Sequence, residues 1–388
     1  MPINDGNQSS HLDLYKLLEQ DAKQGVRLEG VTYRIPLSIY NSESRTQREL
    51  EKVFYKRPLL LCHETQLAEE GDSLTQDWLG LPLVTVRGKD GHIRTFLNVC
   101  RHRNMRIIQD QGPAKLRSLV CPYHQWTYGL DGCLKNIPLE ESFADLNKDE
   151  LSLVELPTKV VAGMVWVLPT PDGSINESAN LDILENDFKA FGLPNQHYYT
   201  HSVRTVDCNW KLVQDAFLDG YHVVRLHKNT VGGFFLDSVA NSNSVGEHVR
   251  SIVGRKALLE QESVSDINAI RQQVTFSYTL FPNTVVIMHP DYTSLVGLYP
   301  QGPDKTVFVH SMLVPELPTT EKAKQHFERS FKLIDEGVFL AEDIFVCEGA
   351  QAGINAKANS DMLCGIHELP IVYFHQAMYA AMNEVCPF

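Results

Sequence analysis

The spacing of apolar and polar positions divides the chain into stretches of different character. Between Ser44 and Tyr55 the apolar positions Leu50, Val53 and Phe54 share one side of a helix, with Glu and Arg on the outer face. Residues 1–20 are polar and only weakly helical around Leu12–Leu18. From Leu81 the period drops to two. Leu83, Thr85 and Arg87 alternate with Val84 and Val86, and Ile93–Val99 is a second strand. Lys89-Asp90-Gly91 and Asp131-Gly132 supply tight turns. Val160–Val167 is continuously apolar and reads as a buried strand. Pro169–Asn180, rich in Pro, Gly, Ser and Asn, marks a boundary. Beyond it, Asn209–Leu226 is helical over much of its length. Val274–Met288, Ser294–Tyr299 and Thr306–Val314 read as antiparallel strands. Thr320–Cys347 is a long helix with Phe327, Phe331, Ile334, Val338 and Phe345 in one stripe. Lys228–Asp266 carries few signals and reads as a functional lid or a partly disordered stretch. The expected fold is α+β. A small all-β domain spans 55–167. A larger α+β domain, an antiparallel sheet flanked by helices, spans 168–388. The N-terminal segment 1–54 packs on the larger domain.

The chain's 388 residues fit two or three domains at about 150 residues each. With 35 Lys+Arg against 48 Asp+Glu the net charge is −13, which argues against nucleic-acid binding. No apolar run approaches the roughly 20 residues of a membrane span. Met1–Ser10 is polar and lacks a secretory pattern, so the expected compartment is the cytoplasm. Thiols there are reduced, and clustered Cys and His read as metal or catalytic chemistry.

Two such clusters occur. In the first, Cys100-Arg101-His102 is followed eighteen residues later by Cys121-Pro122-Tyr123-His124. Each short stretch gives one Cys and one His, on a loop after a strand. Two such loops can grip opposite sides of a [2Fe–2S] cluster, both thiolates on one iron and both imidazoles on the other. The alternative is a structural zinc site, but zinc fingers usually pair like with like, whereas each pair here is mixed. Gly129, Asp131 and Gly132 suit a third loop shielding the cluster. Cys133 reads as a small buried residue.

The second cluster is Asp219-Gly220-Tyr221-His222, then His227. On a helix Asp219 and His222 share a face, but His227 lies about 140° round from His222. Both rings meet one metal only if the helix ends or distorts between them, and Gly220 eases that. The candidate third ligand is Asp343, on the apolar face of the long helix, where a carboxylate is costly without a cation. Two His and a carboxylate make a facial triad for non-haem Fe(II). Taken singly, a His pair at this spacing also reads as structural and a helix-end Asp as a solvated charge.

Together these motifs resemble the Rieske non-haem iron oxygenases, the ring-hydroxylating dioxygenase α-subunit family. Phe96-Leu-Asn-Val-Cys100-Arg-His-Arg103 and Cys121-Pro-Tyr-His-Gln-Trp126 look like the Rieske motif. Asn209-Trp210-Lys211, Asp219 to His227, and Glu342-Asp343 with Glu348 match the family's catalytic pattern in the same order. Gln214-Asp215 stands where the family commonly has Glu-Asn. The resemblance implies a terminal oxygenase of aromatic or other apolar small molecules, as in aromatic hydrocarbon catabolism, with O- or N-demethylation as the alternative and a pure electron carrier behind it. Cys100, His102, Cys121 and His124 would hold the cluster, and His222, His227 and Asp343 the iron. Asp219 would link His222 to His124 of the next chain in a homotrimer, with room for a β subunit. NAD(P)H would act through a partner reductase, with or without a ferredoxin. Ala216, Phe217, Leu218, Met288, His289, Val338 and Phe339 are candidate pocket residues, and Arg225 a candidate partner for a substrate carboxylate. Arg101, Arg103, Arg106, Lys115 and Arg117 form a basic group suited to an acidic electron donor.

Overall fold

The computed structural model describes residues 10–25, 30–175, 181–260 and 264–388. The polar stretch before residue 10 and the end of the boundary segment, 176–180, lie outside the described residues. The chain forms two compact units, one of residues 54–180 and one of residues 1–53 with 181–388.

The first unit is built from short antiparallel strands. Its five-stranded sheet has the order Glu155–Leu156, Ile93–Leu97, Leu81–Arg87, Asp72–Trp78, Gly112–Lys115. Two three-stranded sheets complete it, one of them Leu119–Val120, Thr127–Tyr128 and Leu134–Asn136. The apolar run Val160–Val167 is not one strand. It spans a hairpin, Thr158–Val161 and Met164–Val167, turned at Ala162 and Gly163, both with positive φ. Val84, Phe96, Leu119, Trp126 and Tyr128 form a core that also encloses Cys100 and Cys121.

The second unit centres on a seven-stranded antiparallel sheet. Its order is His197–Val206, Thr306–Val314, Thr293–Pro300, Thr284–Met288, Val274–Leu280, His248–Arg255, Phe235–Val245. Val274–Met288 is thus two strands, parted where Pro282 has no amide to give to a ladder. Lys228–Asp266 is largely neither lid nor coil, since it supplies the last two strands of the sheet. The helix His11–Gln24, capped by Ser10 and Asp13, packs on those strands.

The N-terminal helix Glu43–Lys52 also departs from the sequence expectation. Arg45 and Glu49, assigned to its outer face, are buried. Glu49 accepts from Lys211 Nζ at 2.8 Å, from Trp210 Nε1 at 3.2 Å and from Arg45 Nε at 3.0 Å. Lys211 and Glu49 are each only 1% exposed, so this ion pair is fully withdrawn from water. Breaking such a pair from one side strands a buried charge. Glu49→Ala is therefore expected to destabilise the full chain by about 3–5 kcal/mol in denaturant unfolding, and Glu49→Leu with Lys211→Met to recover most of it. A loss below about 1 kcal/mol in the single variant would mean that Lys211 is not held by Glu49.

Candidate functional site

Cys100 and Cys121 sit on two loops with the same backbone wiring. Cys100 N–H donates to Met105 O at 2.8 Å and its carbonyl accepts from Asn104 N at 3.1 Å. Cys121 N–H donates to Trp126 O and its carbonyl accepts from Gln125 N, both at 2.9 Å. In each loop the residue four after the Cys adopts φ of 59°, Asn104 in one and Gln125 in the other. Both cysteines are buried, whereas His102 and His124 are half-buried at the rim, ring centroids 4.7 Å apart. His102 Nδ1 is buried without a hydrogen-bond partner. Its ring stacks on Trp126 at 4.6 Å and meets Phe143 edge-on at 5.6 Å. The turn at Gly132 packs against Phe96 and has no room for a Cβ, and Phe143 lies edge-on against His102. Cys133 is exposed rather than buried. Tyr128 accepts from Arg101 N–H at 3.0 Å, which leaves its hydroxyl proton for Cys100 Sγ at 3.3 Å.

In the second unit the predicted helix Asn209–Leu226 is broken. It runs Trp210–Leu218, turns at Asp219, and resumes for one turn at Val223–Leu226. His222 and His227 cap the two ends of that single turn, so the break lies before His222 and the helix stops at His227, where the backbone leaves helical geometry. Gly220 lets Ala240 approach to 3.0 Å from where a Cβ would sit. His227 O accepts from Gly232 N–H at 2.8 Å, and a Cβ on Gly232 would collide with that carbonyl.

Asp343 comes from the long helix, which runs from Glu321 to Asn355 and changes its winding from Leu333 to Ile344. This stretch is π-helical, so residues five apart share a face. Ile334, Phe339 and Ile344 are buried in one register, Val338 and Asp343 in the next. Phe345, expected in the stripe from α-helical spacing, is 70% exposed.

The three side chains converge. His222 Nε2 and His227 Nε2 are 3.1 Å apart, and each is 3.4 Å from Asp343 Oδ1. Among the described residues this is the one group of three or more His, Cys, Asp or Glu whose ligand atoms lie within 4.8 Å of one another. Ligands about 2.1 Å from one metal and at right angles would stand about 3 Å apart, close to these separations. Asp343 Oδ1 and His222 Nδ1 are buried without hydrogen-bond partners. Burial opposes charge on His222, but Asp219 and Asp343 outweigh it and push the imidazole up to about 10. A cation held by these three side chains would take the place of that proton. His227 Nδ1 lies 2.7 Å from Glu342 Oε2, which also accepts from Thr230 Oγ1. Asp219 Oδ1 accepts from Tyr221 N–H at 2.7 Å, while Oδ2 stands 3.4 Å from His222 Nδ1, an ion contact without hydrogen-bond alignment.

The family model for the Rieske [2Fe-2S] domain matches residues 57–157, and that for the ring hydroxylating alpha subunit catalytic domain matches residues 193–384. The chain belongs to the Rieske oxygenase α-subunit family. It is 26% identical to the carnitine monooxygenase oxygenase subunit of Escherichia coli, over 91% of this chain and 94% of that protein. The α subunit of benzene 1,2-dioxygenase from Pseudomonas putida is 38% identical, over 49% of this chain and 43% of that protein. A quaternary ammonium Rieske monooxygenase solved with L-carnitine shares the fold, with a TM-score of 0.76, 21% identity and coverage of 91% and 96%. Naphthalene 1,2-dioxygenase does so with a TM-score of 0.74, 19% identity and coverage of 90% and 92%.

The cofactors of this Rieske oxygenase are a [2Fe–2S] cluster and a mononuclear iron, and a reductase is the family's usual electron source. Both candidate sites fit these groups in donor chemistry and in their orphaned buried atoms. Among the described residues no helix is long and apolar enough to cross a membrane.

A cavity of 1290 Å³ reaches His222, His227 and Asp343. Of the pocket residues expected from sequence, Ala216, Phe217, Leu218, His289, Val338 and Phe339 line it. Met288 is instead fully buried, since neighbours on a strand face opposite ways. The last strands add what sequence reasoning missed, a polar wall in which Ser251, Val253 and Arg255 alternate along one strand beside Thr275 and Ser277 on the next. His289 is neither a plain strand end nor an isolated ring. Its Nε2 meets Ser294 Oγ at 3.1 Å, Ser294 meets His310 Nε2 at 3.0 Å, and His310 Nδ1 meets Asp335 Oδ1 at 2.9 Å. Burial disfavours charge on both His289 and His310. Asp335, also held by Arg204 and Ser202, keeps its charge despite burial. Arg225 lies on the surface, paired with Asp237 at 2.7 Å. The basic group on the cluster loops is smaller than its sequence suggests, because Asp77 neutralises Arg106 and Glu69 and Asp72 neutralise Lys115. Gln214 and Asp215, the departures from the family pattern, are buried and bonded, Gln214 to Thr279 and Asp215 to Tyr40 and His375.

Two outcomes follow from the contacts around the ligands. Tyr128→Phe removes the hydroxyl from Cys100 and is expected to lower the cluster's reduction potential by on the order of 50 mV, read by redox titration. An unchanged potential would show that this bond does not act on the cluster. Glu342→Ala frees the His227 ring and is expected to weaken mononuclear iron binding about 10–100-fold with sulfide content unchanged. Full iron retention in a chelator series would contradict that role.

Proposed function

We propose that the chain is a monooxygenase of small polar substrates that contain nitrogen. It would insert one oxygen atom of O2 into a C–H bond beside the nitrogen. Two electrons would come from a separate NAD(P)H-dependent reductase, with or without a ferredoxin, and the second oxygen atom would leave as water. Hydroxylation of an N-methyl carbon gives a carbinolamine that breaks down to amine and formaldehyde, so N-demethylation is one outcome of the same step. The observation that carries this reading is the polar wall of Ser251, Thr275, Ser277 and His289 along the cavity. The side chains of Ser251, Thr275 and His289 each have a partner in the protein, and a hydrocarbon ring against that wall would leave their remaining hydrogen-bonding positions unmet, at about 1–3 kcal/mol for a group left with no partner. The carnitine monooxygenase oxygenase subunit, alike over nearly its whole length, supports the same choice over ring dihydroxylation.

In this reading Cys100, His102, Cys121 and His124 hold the cluster and His222, His227 and Asp343 hold the iron. Asp219 links His222 to His124 of a neighbouring copy in a homotrimer. Its second carboxylate oxygen carries no hydrogen bond aligned on His222, which suits a group that also serves a partner.

Anaerobically purified protein is expected to contain about three irons and two sulfides per chain, and His222→Ala about two irons with both sulfides kept. Turnover with a reductase, 18O2 and the probes choline, L-carnitine and γ-butyrobetaine should place one labelled oxygen in product or in released aldehyde. A doubly labelled diol from benzene or naphthalene, with none of the amines oxidised, would overturn the monooxygenase reading. Two irons in the wild type, unchanged on adding Fe(II), would overturn the iron site itself.

A further inference from the structure

Arg255 ends the strand His248–Arg255 and lines the same cavity as His222, His227 and Asp343. No other Arg or Lys among the described residues lines it. Its guanidinium lies 5.2 Å from the centroid of the Phe235 ring and 5.6 Å from that of Phe234. These cation–π contacts use none of its N–H donors as a hydrogen bond to an oxygen. An arginine has five N–H donors. Here the described residues supply one acceptor, Thr275 Oγ1, at the long distance of 3.4 Å. No carboxylate of the described residues lies within ion-pair distance. The nearby Asp291 is taken up by His326 at 2.6 Å.

This departs from how the unit treats its other withdrawn arginines. Arg250 is paired with Asp187, and Arg271 donates to the carbonyls of His289 and Tyr292. Arg45 has Glu49, and Arg204 has Asp335. Arg255 is only partly exposed, and burial pulls its pKa down from the ordinary arginine range. A desolvated guanidinium with unused donors is costly unless a ligand supplies the missing anion. Its contacts with the Phe234 and Phe235 rings limit the freedom the side chain loses when an anion arrives.

We infer that Arg255 is a carboxylate-binding residue of the substrate cavity, so that the substrate carries a carboxylate group as well as the carbon presented to the iron. Two parallel N–H···O bonds from its unused donors would receive it. The inference rests on the monooxygenase reading only in taking this cavity as the substrate's. The anion site itself can be tested without turnover.

The test is isothermal titration calorimetry on the full-length, iron-loaded protein with butyrate, γ-butyrobetaine and choline, in the wild type, Arg255→Gln and Arg255→Lys. Both carboxylates should bind the wild type saturably. Arg255→Gln should weaken each by about tenfold or more, and Arg255→Lys, which keeps the charge without the fork, by less. Choline, which has no carboxylate, should bind all three proteins alike. Iron content and thermal unfolding of the variants equal to wild type would show that the loss is local. Unchanged carboxylate affinity in Arg255→Gln, or no saturable carboxylate binding to the wild type at millimolar concentration, would overturn the inference. Should no amine be turned over while butyrate binding still depends on Arg255, the monooxygenase reading fails and the anion site stands.

Discussion

The arrangement of the larger unit depends on holding His222 Nε2, His227 Nε2 and Asp343 Oδ1 within 3.1–3.4 Å of one another. Three polar atoms packed this closely, two of them on buried residues, are unfavourable unless a cation lies among them. Each ligand needs its own departure from regular structure. The histidines require a helix that stops at Asp219 and restarts for a single turn, and Asp343 requires twelve residues of π-helix. Long π segments are rare, and shorter ones recur at functional sites. Here the wider winding brings Asp343 and Ile344 inward and turns Phe345 outward.

Irregular backbone must be braced elsewhere. The helix Trp210–Leu218 is buried on nearly every side and is clamped through its polar residues. Lys211 reaches Glu49 on the N-terminal helix, and Asp215 is bonded to Tyr40 and to His375 on the C-terminal helix. Asn209 caps the helix through Lys211 N–H and also donates to Pro303 O. The Asn-Trp-Lys motif is therefore a fastening for the helix that leads to Asp219 and His222. A buried pair of this kind adds little net stability against apolar replacements, yet losing one partner is costly. It fixes one arrangement of the N-terminal segment against the ligand helix.

Much of the site was legible because its chemistry is carried by residue types that are rarely interchangeable. The mixed Cys/His spacing pointed to loops gripping a cluster, and those loops turn out to share one backbone pattern. A five-residue spacing on a helix called for an irregularity near the two histidines, but the break falls at residues 219–221, before His222, and the residues between the histidines form one helical turn that ends at His227. The wall of the cavity was not legible. Phe235–Val245 reads Phe-Leu-Asp-Ser-Val-Ala-Asn-Ser-Asn-Ser-Val, with no clean alternation. That is because this strand lines an open cavity and packs on the helix His11–Gln24 instead of a dry core. Its partner polar groups are supplied at a distance in sequence, as when Asn241 donates to Asp21 at 2.8 Å or Ser242 to Ser251 at 2.9 Å. The π segment was hidden too, because Phe345 fits an α-helical stripe as well as Ile344 fits a π-helical one. Arg45 and Glu49 looked like a solvated pair because their partners lie up to 339 residues away.

The polar wall has a direction that follows from its hydrogen bonds. Asp335 is charged and accepts, so His310 Nδ1 carries a proton and its Nε2 does not. Ser294 must then donate to His310, and its oxygen is left to accept from His289 Nε2. A neutral His289 with its proton on Nε2 has a bare lone pair on Nδ1. The cavity thus presents an acceptor at His289 and unused donors at Arg255. This tautomer is set by a buried carboxylate three residues along the chain of bonds and is passed to His289 through His310 and Ser294. A group that donates a hydrogen bond is suited to the His289 end and an anionic acceptor to the Arg255 end. The two ends of this wall therefore differ in hydrogen-bonding character, set by bonds made behind it, while the rest of a cavity of 1290 Å³ is lined largely by apolar side chains such as Phe217, Val338 and Phe339.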